Sequence, residues 1–246
     1  MEIKRQTAIK TRISDIVNSK FIKKEGLEPS YVLTDLGQRI SRAKIVGIVT
    51  DKFFNDSNSF SSITIDDGTG AVRIKAFQDN IDMLQNLEIG NLLMIIGRVR
   101  EYAEENYISP EAIKSIANPN YELLHKVEIL DNILENRKFL EIVNREKEKI
   151  SDLNELKNYL NNEFGIGEQI FESILESMNE SERMKDNDYK PLLISTLKKM
   201  DEGNGVEIIK LLKEVRLPAD VFNDILSNLL EEGVFYESMP GVLKLA

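Results

Sequence analysis

The sequence predicts an α+β multidomain chain: a five-stranded β-barrel, a helical segment after it, and a C-terminal domain of three helices and a hairpin. Short β-like runs separated by turn residues fill residues 39–118, and helical, acidic segments fill residues 119–188. Residues 189–246 hold three helical runs and then a hairpin signal at Pro240 and Gly241. With 246 residues, the chain is long enough for two or three small domains.

Residues 1–38 are predicted to form an N-terminal extension that packs on the barrel. Ala8, Ile9, Ile13, Ile16 and Val17 recur at helical spacing and therefore predict one apolar helix face. The run FIKKEGLEPSYVL has turn residues in its middle, which indicates a hairpin. The extension is thus expected to be a helix followed by a hairpin.

The barrel prediction depends on the order of the runs in residues 39–118. ISRAKIVGIVTDKFF contains Gly47, where a strand bends sharply, and the turn DDGTG lies between FSSITID and AVRIKAF. A short helical run, QDNIDMLQNL, precedes LLMIIGRVREY, and YISPEAIKSI ends the series with Pro110 at an edge or a bulge. Five strands with one helix before the fourth are the order of the OB-fold. An open sheet or a sandwich is the alternative, and 80 residues are few for a sandwich.

The segment 119–188 is predicted to begin with a helix whose first residues lie at 118–120. Leu123, Val127, Leu130 and Leu134 follow at 3.5-residue spacing, which predicts either an interface stripe or a packing stripe. The polar run NESERMKDND near the end of the segment is interpreted as a linker.

Residues 189–246 are predicted to form a winged helix. Its third helix, residues 218–232, has four acidic side chains and no Lys or Arg, and Asp224 and Asn228 are expected to face outward. Such a helix is unsuited to the major groove of duplex DNA. We therefore expect this domain to bind protein, with Tyr236 and Met239 as apolar contacts.

Composition excludes several classes of chemistry. Without cysteine, the chain has no disulfides, no thiol catalysis and no cysteine-ligated metal site. The one histidine, His125, is interpreted as an ordinary surface residue of a helix. No Gly-rich phosphate loop, nucleophile elbow or HExxH motif occurs. We therefore expect no enzyme, no catalytic residue, no metal site and no cofactor.

Taken alone, the formal charge of −10 argues against nucleic-acid binding, but this charge is unevenly distributed along the chain. Residues 1–118 carry 16 basic and 16 acidic side chains, whereas residues 119–188 carry 9 and 17. The surplus acid therefore lies outside the barrel. We expect the isolated chain to have a modest affinity for nucleic acid.

Two predicted strands repeat the pattern cation, cation, aromatic at every second position. In AVRIKAF, Val72, Ile74 and Ala76 are expected to face the core. The opposite faces of the two strands present Arg73, Lys75 and Phe77, and Arg98, Arg100 and Tyr102. Single-stranded nucleic acid needs cations for its phosphates and flat apolar partners for its bases. The alternative is a solvated strand face with no ligand.

With these residues identified, the chain resembles a known family. The runs VGIVTDKFF, SITIDDGTGAVRIKAF, LEIGNLLMIIGRVREY and YISPEAI resemble the OB-fold of the middle subunit of replication protein A. With KRQTAIKTRISDIV and YVLTDLGQRI added, the chain resembles archaeal replication protein A family proteins of that type. The run LPADVFNDILSNLLEEGVFYES is similar to the protein-interaction domain that ends the eukaryotic subunit. The acidic segment is longer than the linker of that subunit.

The resemblance implies a component of a single-stranded DNA-binding complex in DNA replication, repair and recombination. It implies base stacking on Phe77 and Tyr102, and a helix that joins a larger replication protein A subunit through Leu123, Val127, Leu130 and Leu134. It further implies that the winged helix recruits replication or repair proteins. We expect a cytoplasmic, nucleoid-associated location, and neither a membrane nor a small-molecule substrate. Two alternatives stay open: a scaffold subunit with little DNA affinity, and an RNA-binding OB-fold factor.

Overall fold

The computed structural model describes residues 7–24, 26, 28–55, 59–186, 189–201 and 203–246, without the side chains of residues 79 and 181–186. It contains two compact units, Met1–Ser177 and Met178–Ala246. Among the described residues, no helix has both the length and the apolar character needed to span a membrane.

The first unit begins with short elements. These are β1 (Ile9–Lys10), α1 (Ile13–Val17), β2 (Lys20–Ile22), β3 (Tyr31–Leu33) and β4 (Arg39–Ile40). β2 and β3 form the predicted antiparallel hairpin, and β4 extends it to three strands. The helix, however, is shorter than predicted.

Ala8 and Ile9 do not belong to that helix, contrary to the prediction. Ile9 lies in β1, which pairs in parallel with the strand that contains Ala43 and is an edge strand of the six-stranded central sheet. Backbone hydrogen bonding to a distant strand here overrides the local apolar spacing. Ile13 and Ile16 of α1 are fully buried in the same core cluster as the sheet residues.

The central sheet contains the five predicted strands. These are β5 (Arg42–Phe54), β6 (Phe60–Asp66), β7 (Ala71–Phe77), β8 (Leu92–Tyr102) and β9 (Glu105–Ser115), with α2 (Asp82–Gln85) between the third and the fourth. β5 pairs with both β6 and β8, β7 pairs with β6 and β9, and β8 pairs with β9. Pro110 lies at a register shift between β8 and β9, so its predicted place at a bulge is confirmed.

Two glycines allow strands to approach each other closely in this sheet. A Cβ atom on Gly47 would lie 2.5 Å from the carbonyl oxygen of Asp66. A Cβ atom on Gly97 would overlap the carbonyl oxygen of Ser109 and lie 2.5 Å from Cγ2 of Ile108. Both positions therefore exclude any side chain.

Three helices follow the sheet: α3 (Asn120–Lys147), α4 (Leu153–Phe164) and α5 (Glu168–Asp186). Gly165 ends α4 in the left-handed conformation, at φ 67°. α5 continues through most of the run interpreted as a linker, so this run is helical up to Asp186. The boundary between the two units, after Ser177, lies just before the run, and residues 187 and 188 lie outside the described residues.

The helical segment packs on the N-terminal extension. Glu176 of α5 accepts a hydrogen bond from the Tyr31 hydroxyl at 2.7 Å and one from Nε of Arg39 at 2.7 Å. Lys10 forms an ion pair of 2.5 Å with Glu128 of α3. The helical segment up to Ser177 is therefore part of the first unit, together with the N-terminal extension and the sheet.

His125 is buried, contrary to its interpretation as a surface residue. Its side chain lies on the inner face of α3 and is only 5% exposed. Neither ring nitrogen has a hydrogen-bond partner among the described residues. Burial, with a smaller effect from the charge of Lys44, lowers the pKa of His125 to about 4. The ring is therefore neutral at neutral pH.

We expect His125 to make the first unit less stable as the pH falls. The pKa of this group is near 6.5 when the chain is unfolded and about 4 when it is folded, so the unfolded chain binds more protons between these values. The free energy of unfolding then falls with decreasing pH, by at most about 1.4 kcal/mol per pH unit for one proton. Chemical denaturation from about pH 7 to about pH 4.5 should show a shallower slope for His125→Phe, and equal slopes would contradict the expectation.

After the end of α5, the described residues of the second unit form three helices and a small sheet. These elements are α6 (Lys190–Met200), β10 (Val206–Glu207), α7 (Ile208–Val215), α8 (Ala219–Glu231), β11 (Phe235–Met239) and β12 (Val242–Leu245). β12 lies between β10 and β11, and β10 was not predicted. Phe222 and Phe235 are fully buried at the centre of its apolar core. Asp224 and Asn228 on α8 are exposed, as predicted.

Candidate nucleic-acid interface

The alternation predicted for β7 is present, with one departure. Val72, Ile74 and Ala76 are buried, as predicted. Of the residues on the other face, Arg73 is exposed and Phe77 is 48% exposed. Lys75 departs from the pattern because it is only 9% exposed.

Lys75 is buried because residues of β9 surround its ammonium group. Its Nζ atom lies 3.1 Å from Oε2 of Glu105 and 4.6 Å from the ring centroid of Tyr107. Nη1 of Arg73 lies 3.2 Å from the same Glu105 oxygen. One carboxylate thus binds both cations that the sequence predicts as phosphate contacts on this strand.

The end of β8 presents the second predicted group of residues. Arg98, Arg100 and Tyr102 are exposed, Tyr102 by 73%, and the intervening Val99 is buried. Nε of Arg98 lies 2.9 Å from Glu111 of β9. Arg100 forms no ion pair within the part of the chain that the structure describes. It is therefore the most available of the predicted phosphate contacts.

Glu111 also binds a cation that the sequence prediction did not include. Nε of Arg42 on β5 lies 2.5 Å from Oε2 of Glu111, while Arg98 contacts Oε1. Glu105 and Glu111 therefore each join two cations on the outer face of the sheet. This face has a positive surplus, but less free cationic charge than the strand pattern alone predicts.

Three phenylalanine side chains, which we call the aromatic row, cross β5, β6 and β7. The ring centroid of Phe60 lies 6.1 Å from that of Phe53 and 5.2 Å from that of Phe77. Phe53 and Phe77 are each about half exposed. The row therefore presents apolar rings to solvent beside Arg73 and Lys75 on β7.

The sequence prediction missed Phe53 and Phe60. Phe60 could have been found, because Asp66 and Ala71 pair across the DDGTG turn, and counting outward from that pair places Phe60 opposite Phe77. Phe53 could not have been found by alternation. A register shift after Val49 reverses which residues of β5 face outward.

The predicted stripe on α3 faces away from the rest of the first unit. Leu123 is 63% exposed, and Val127, Leu130 and Leu134 are each 55% exposed. The side of α3 that packs inward carries His125 and Ile129 instead. The packing-stripe alternative is therefore wrong, and the identity of any partner stays a prediction.

The two residues predicted for the partner surface of the second unit are also exposed. Tyr236 and Met239 lie on β11, where Tyr236 pairs with Lys244 of β12. Their exposure makes them available for contact. Their role stays a prediction.

Several solved structures are similar to about half of this chain. A replication protein A heterotrimer bound to ssDNA matches with 16% identity over 53% of this chain and 98% of that chain, at a TM-score of 0.45. The S. pombe Stn1–Ten1 complex matches with 17% identity, 54% and 96% coverage and a TM-score of 0.46. Yeast RPA bound to ssDNA matches with 24% identity, 53% and 91% coverage and a TM-score of 0.40.

Sequence comparison gives a more local result. No curated protein sequence matches the chain. One family model, described as an OB-fold nucleic acid binding domain, matches residues 43–126. These residues include β5 to β9 almost completely, with the aromatic row and the cations of β7 and β8. The chain thus contains an OB-fold, and the candidate interface lies on it.

Proposed function

We propose that the OB-fold of this chain binds single-stranded DNA. The observation that carries the proposal is the aromatic row beside a group of cations on one exposed face of the sheet. Bases stack on Phe53, Phe77 and Tyr102, whose rings are exposed. Phosphates contact Arg100 directly and displace the carboxylates from the other cations.

This arrangement suits separated bases better than a duplex. Neighbouring rings of the aromatic row are tilted by 47° and 45° to each other on the strand surface, where unstacked bases have access to them. In the second unit, α8 offers no Lys or Arg to a major groove. A duplex would therefore find no Lys or Arg on this helix, and paired bases would leave the exposed rings of the OB-fold unstacked.

The proposal extends to the second unit and to the exposed stripe on α3. The OB-fold sheet forms a closed barrel, and the second unit is a winged helix that recruits replication or repair proteins through Tyr236 and Met239. The exposed α3 stripe docks a larger subunit of an archaeal replication protein A-like complex in the cytoplasm. Copurification of the native complex followed by mass spectrometry tests this assembly, because a large DNA-binding subunit should accompany the chain.

Titration with oligo-dT of about 12 nucleotides, a length within the range that one OB-fold covers, tests the proposal. Fluorescence anisotropy at about 50 mM and about 200 mM salt should show binding that weakens as salt rises. Binding that is absent at the lower salt concentration would contradict the proposal. A matched RNA oligomer that competes better than DNA would favour the RNA-binding alternative.

The scaffold alternative has one observation in its favour. Glu105 and Glu111 already bind four of the five cations of the candidate interface: Arg42, Arg73, Lys75 and Arg98. On this alternative the carboxylates are permanent partners and the barrel binds protein. On the proposed function they compete with phosphate and set a modest affinity.

Glu105→Gln distinguishes these two readings. We expect this variant to bind oligo-dT roughly two- to tenfold more tightly, because phosphate no longer has to displace ion pairs worth about 0.2–1 kcal/mol each. The dependence on salt should also become steeper, since more cations meet phosphates. The matched control is Glu101→Gln, an exposed carboxylate for which no ion pair is found within the described part of the chain. Unchanged affinity in Glu105→Gln would support the scaffold alternative.

A further inference from the structure

A cavity of about 470 Å³ lies where the first turns of α3 cross the sheet. Its walls come from β5, β8, the end of β9 and α3, all within the first unit. This volume is in the range of small-molecule sites, which are about 300–1,000 Å³. The cavity is separate from the aromatic row, and the proposed function makes no use of it.

His125 is a buried polar group at this cavity without a hydrogen-bond partner in the described part of the chain. The imidazole lines the cavity, and the residue is only 5% exposed. Neither ring nitrogen has a hydrogen-bond partner among the described residues. A neutral imidazole offers one donor and one acceptor. Buried polar groups are nearly always hydrogen-bonded, so the two ring nitrogens of His125 give this cavity hydrogen-bonding capacity for a ligand.

The charged groups around the cavity favour an anion. Lys44 on β5 and Lys114 on β9 line it, and neither forms an ion pair within the described residues. The carboxylate at the cavity, Glu128, is already bound to Lys10 at 2.5 Å. Two ammonium groups therefore remain for a ligand.

The rest of the wall is apolar and suits a flat ring. Val46, Met94, Ile116 and Leu124 line the cavity together with Tyr121. An inorganic anion alone would leave these side chains without contact. A ligand with a planar body and an anionic group uses both parts of the wall.

We propose that this cavity binds a nucleoside monophosphate unit. The phosphate contacts Lys44 and Lys114, the base lies against the apolar wall, and the polar edge of the base forms hydrogen bonds with His125. Two sources can supply the unit: a free nucleotide, or one nucleotide of a bound strand.

The second source rests on the proposed function and is geometrically available. Met94 at the cavity and Arg98 at the candidate interface lie on β8 with their side chains on the same face. Four residues of strand separate them, which is about 13 Å. A strand that contacts Arg98 can therefore reach the cavity within a few nucleotides.

NMR of the whole chain tests the site directly, because His125 is its one histidine. The imidazole Hε1 resonance is followed while dTMP, AMP, inorganic phosphate and oligo-dT are each added. We expect a saturable shift with a mononucleotide, and a smaller shift with phosphate. A shift with oligo-dT alone assigns the site to a bound strand.

Lysine variants test whether the cavity is a binding site or whether His125 has only a structural role. We expect Lys44→Gln and Lys114→Gln each to weaken mononucleotide binding roughly tenfold, as loss of one charged hydrogen bond does. Lys138→Gln, an exposed lysine of α3 away from the cavity, is the control and should bind normally. No shift with any nucleotide, an equal shift with phosphate alone, or normal binding by both lysine variants would overturn the proposal. Failure of the proposed function would instead appear as absent oligo-dT binding with the dTMP shift retained.

Discussion

The double variant Phe53→Ala, Phe77→Ala is expected to bind oligo-dT about 30-fold or more weakly than the natural chain. Each base stacked on an aromatic side chain is worth about 1–3 kcal/mol, and two stacks are lost together. Phe77→Ala with Tyr102→Ala should have a loss of the same size, because Tyr102 is the most exposed of the proposed platforms. Anisotropy titration at low salt measures both losses.

Two controls make this result specific to stacking. Tyr236→Ala removes an equally exposed aromatic side chain from the second unit and should leave oligo-dT binding unchanged. Circular dichroism should show an intact fold in Phe53→Ala, Phe77→Ala, because both rings are already half in solvent. A double variant that stays folded and binds like the natural chain would refute stacking on the aromatic row.

Gly97→Ala is expected to destabilise the first unit by roughly 1–3 kcal/mol, the usual cost of forcing atoms into a packed interior. The new Cβ atom would overlap the carbonyl oxygen of Ser109, and that oxygen belongs to the backbone of the neighbouring strand. Relief therefore requires β8 and β9 to separate where Arg98 and Glu111 meet. Thermal unfolding followed by circular dichroism measures the loss.

Gly70→Ala is the matched control for this variant. A Cβ atom there would meet its nearest neighbour, Cγ2 of Ile13, at 3.6 Å, an ordinary contact distance. Its melting temperature should stay within a few degrees of the natural value, in keeping with the small effect of most surface changes. A Gly97→Ala chain as stable as Gly70→Ala would show that the two strands have room to move apart.

Features set by local alternation could be predicted from the sequence. The burial of Val72, Ile74 and Ala76 and the exposure of Arg100 and Tyr102 follow from the two-residue period of a strand. The register across the DDGTG turn follows from its length, because the closing pair of a hairpin determines all the others. Five strands with a helix before the fourth likewise follow from the order of apolar runs.

Features that depend on contacts between distant parts of the chain could not be predicted from the sequence. Glu105 contacts Arg73 and Lys75 only because β9 pairs with β7, and no local pattern indicates that neighbour. Phe53 faces outward because a bulge interrupts β5. His125 is buried because α3 packs with its less apolar side inward, which amphipathic spacing alone would not predict.

The two faces of α3 have a thermodynamic consequence. The turns that carry Leu123 and Val127 outward also carry Leu124 and His125 along the cavity wall. If the proposed subunit binds the outer face and the proposed nucleotide binds the cavity, both contact the same two turns of α3. Linkage then requires reciprocity: whatever factor the subunit adds to nucleotide affinity, the nucleotide adds to subunit affinity. Assembly and nucleotide binding would thus form one cooperative system, joined by a single helix.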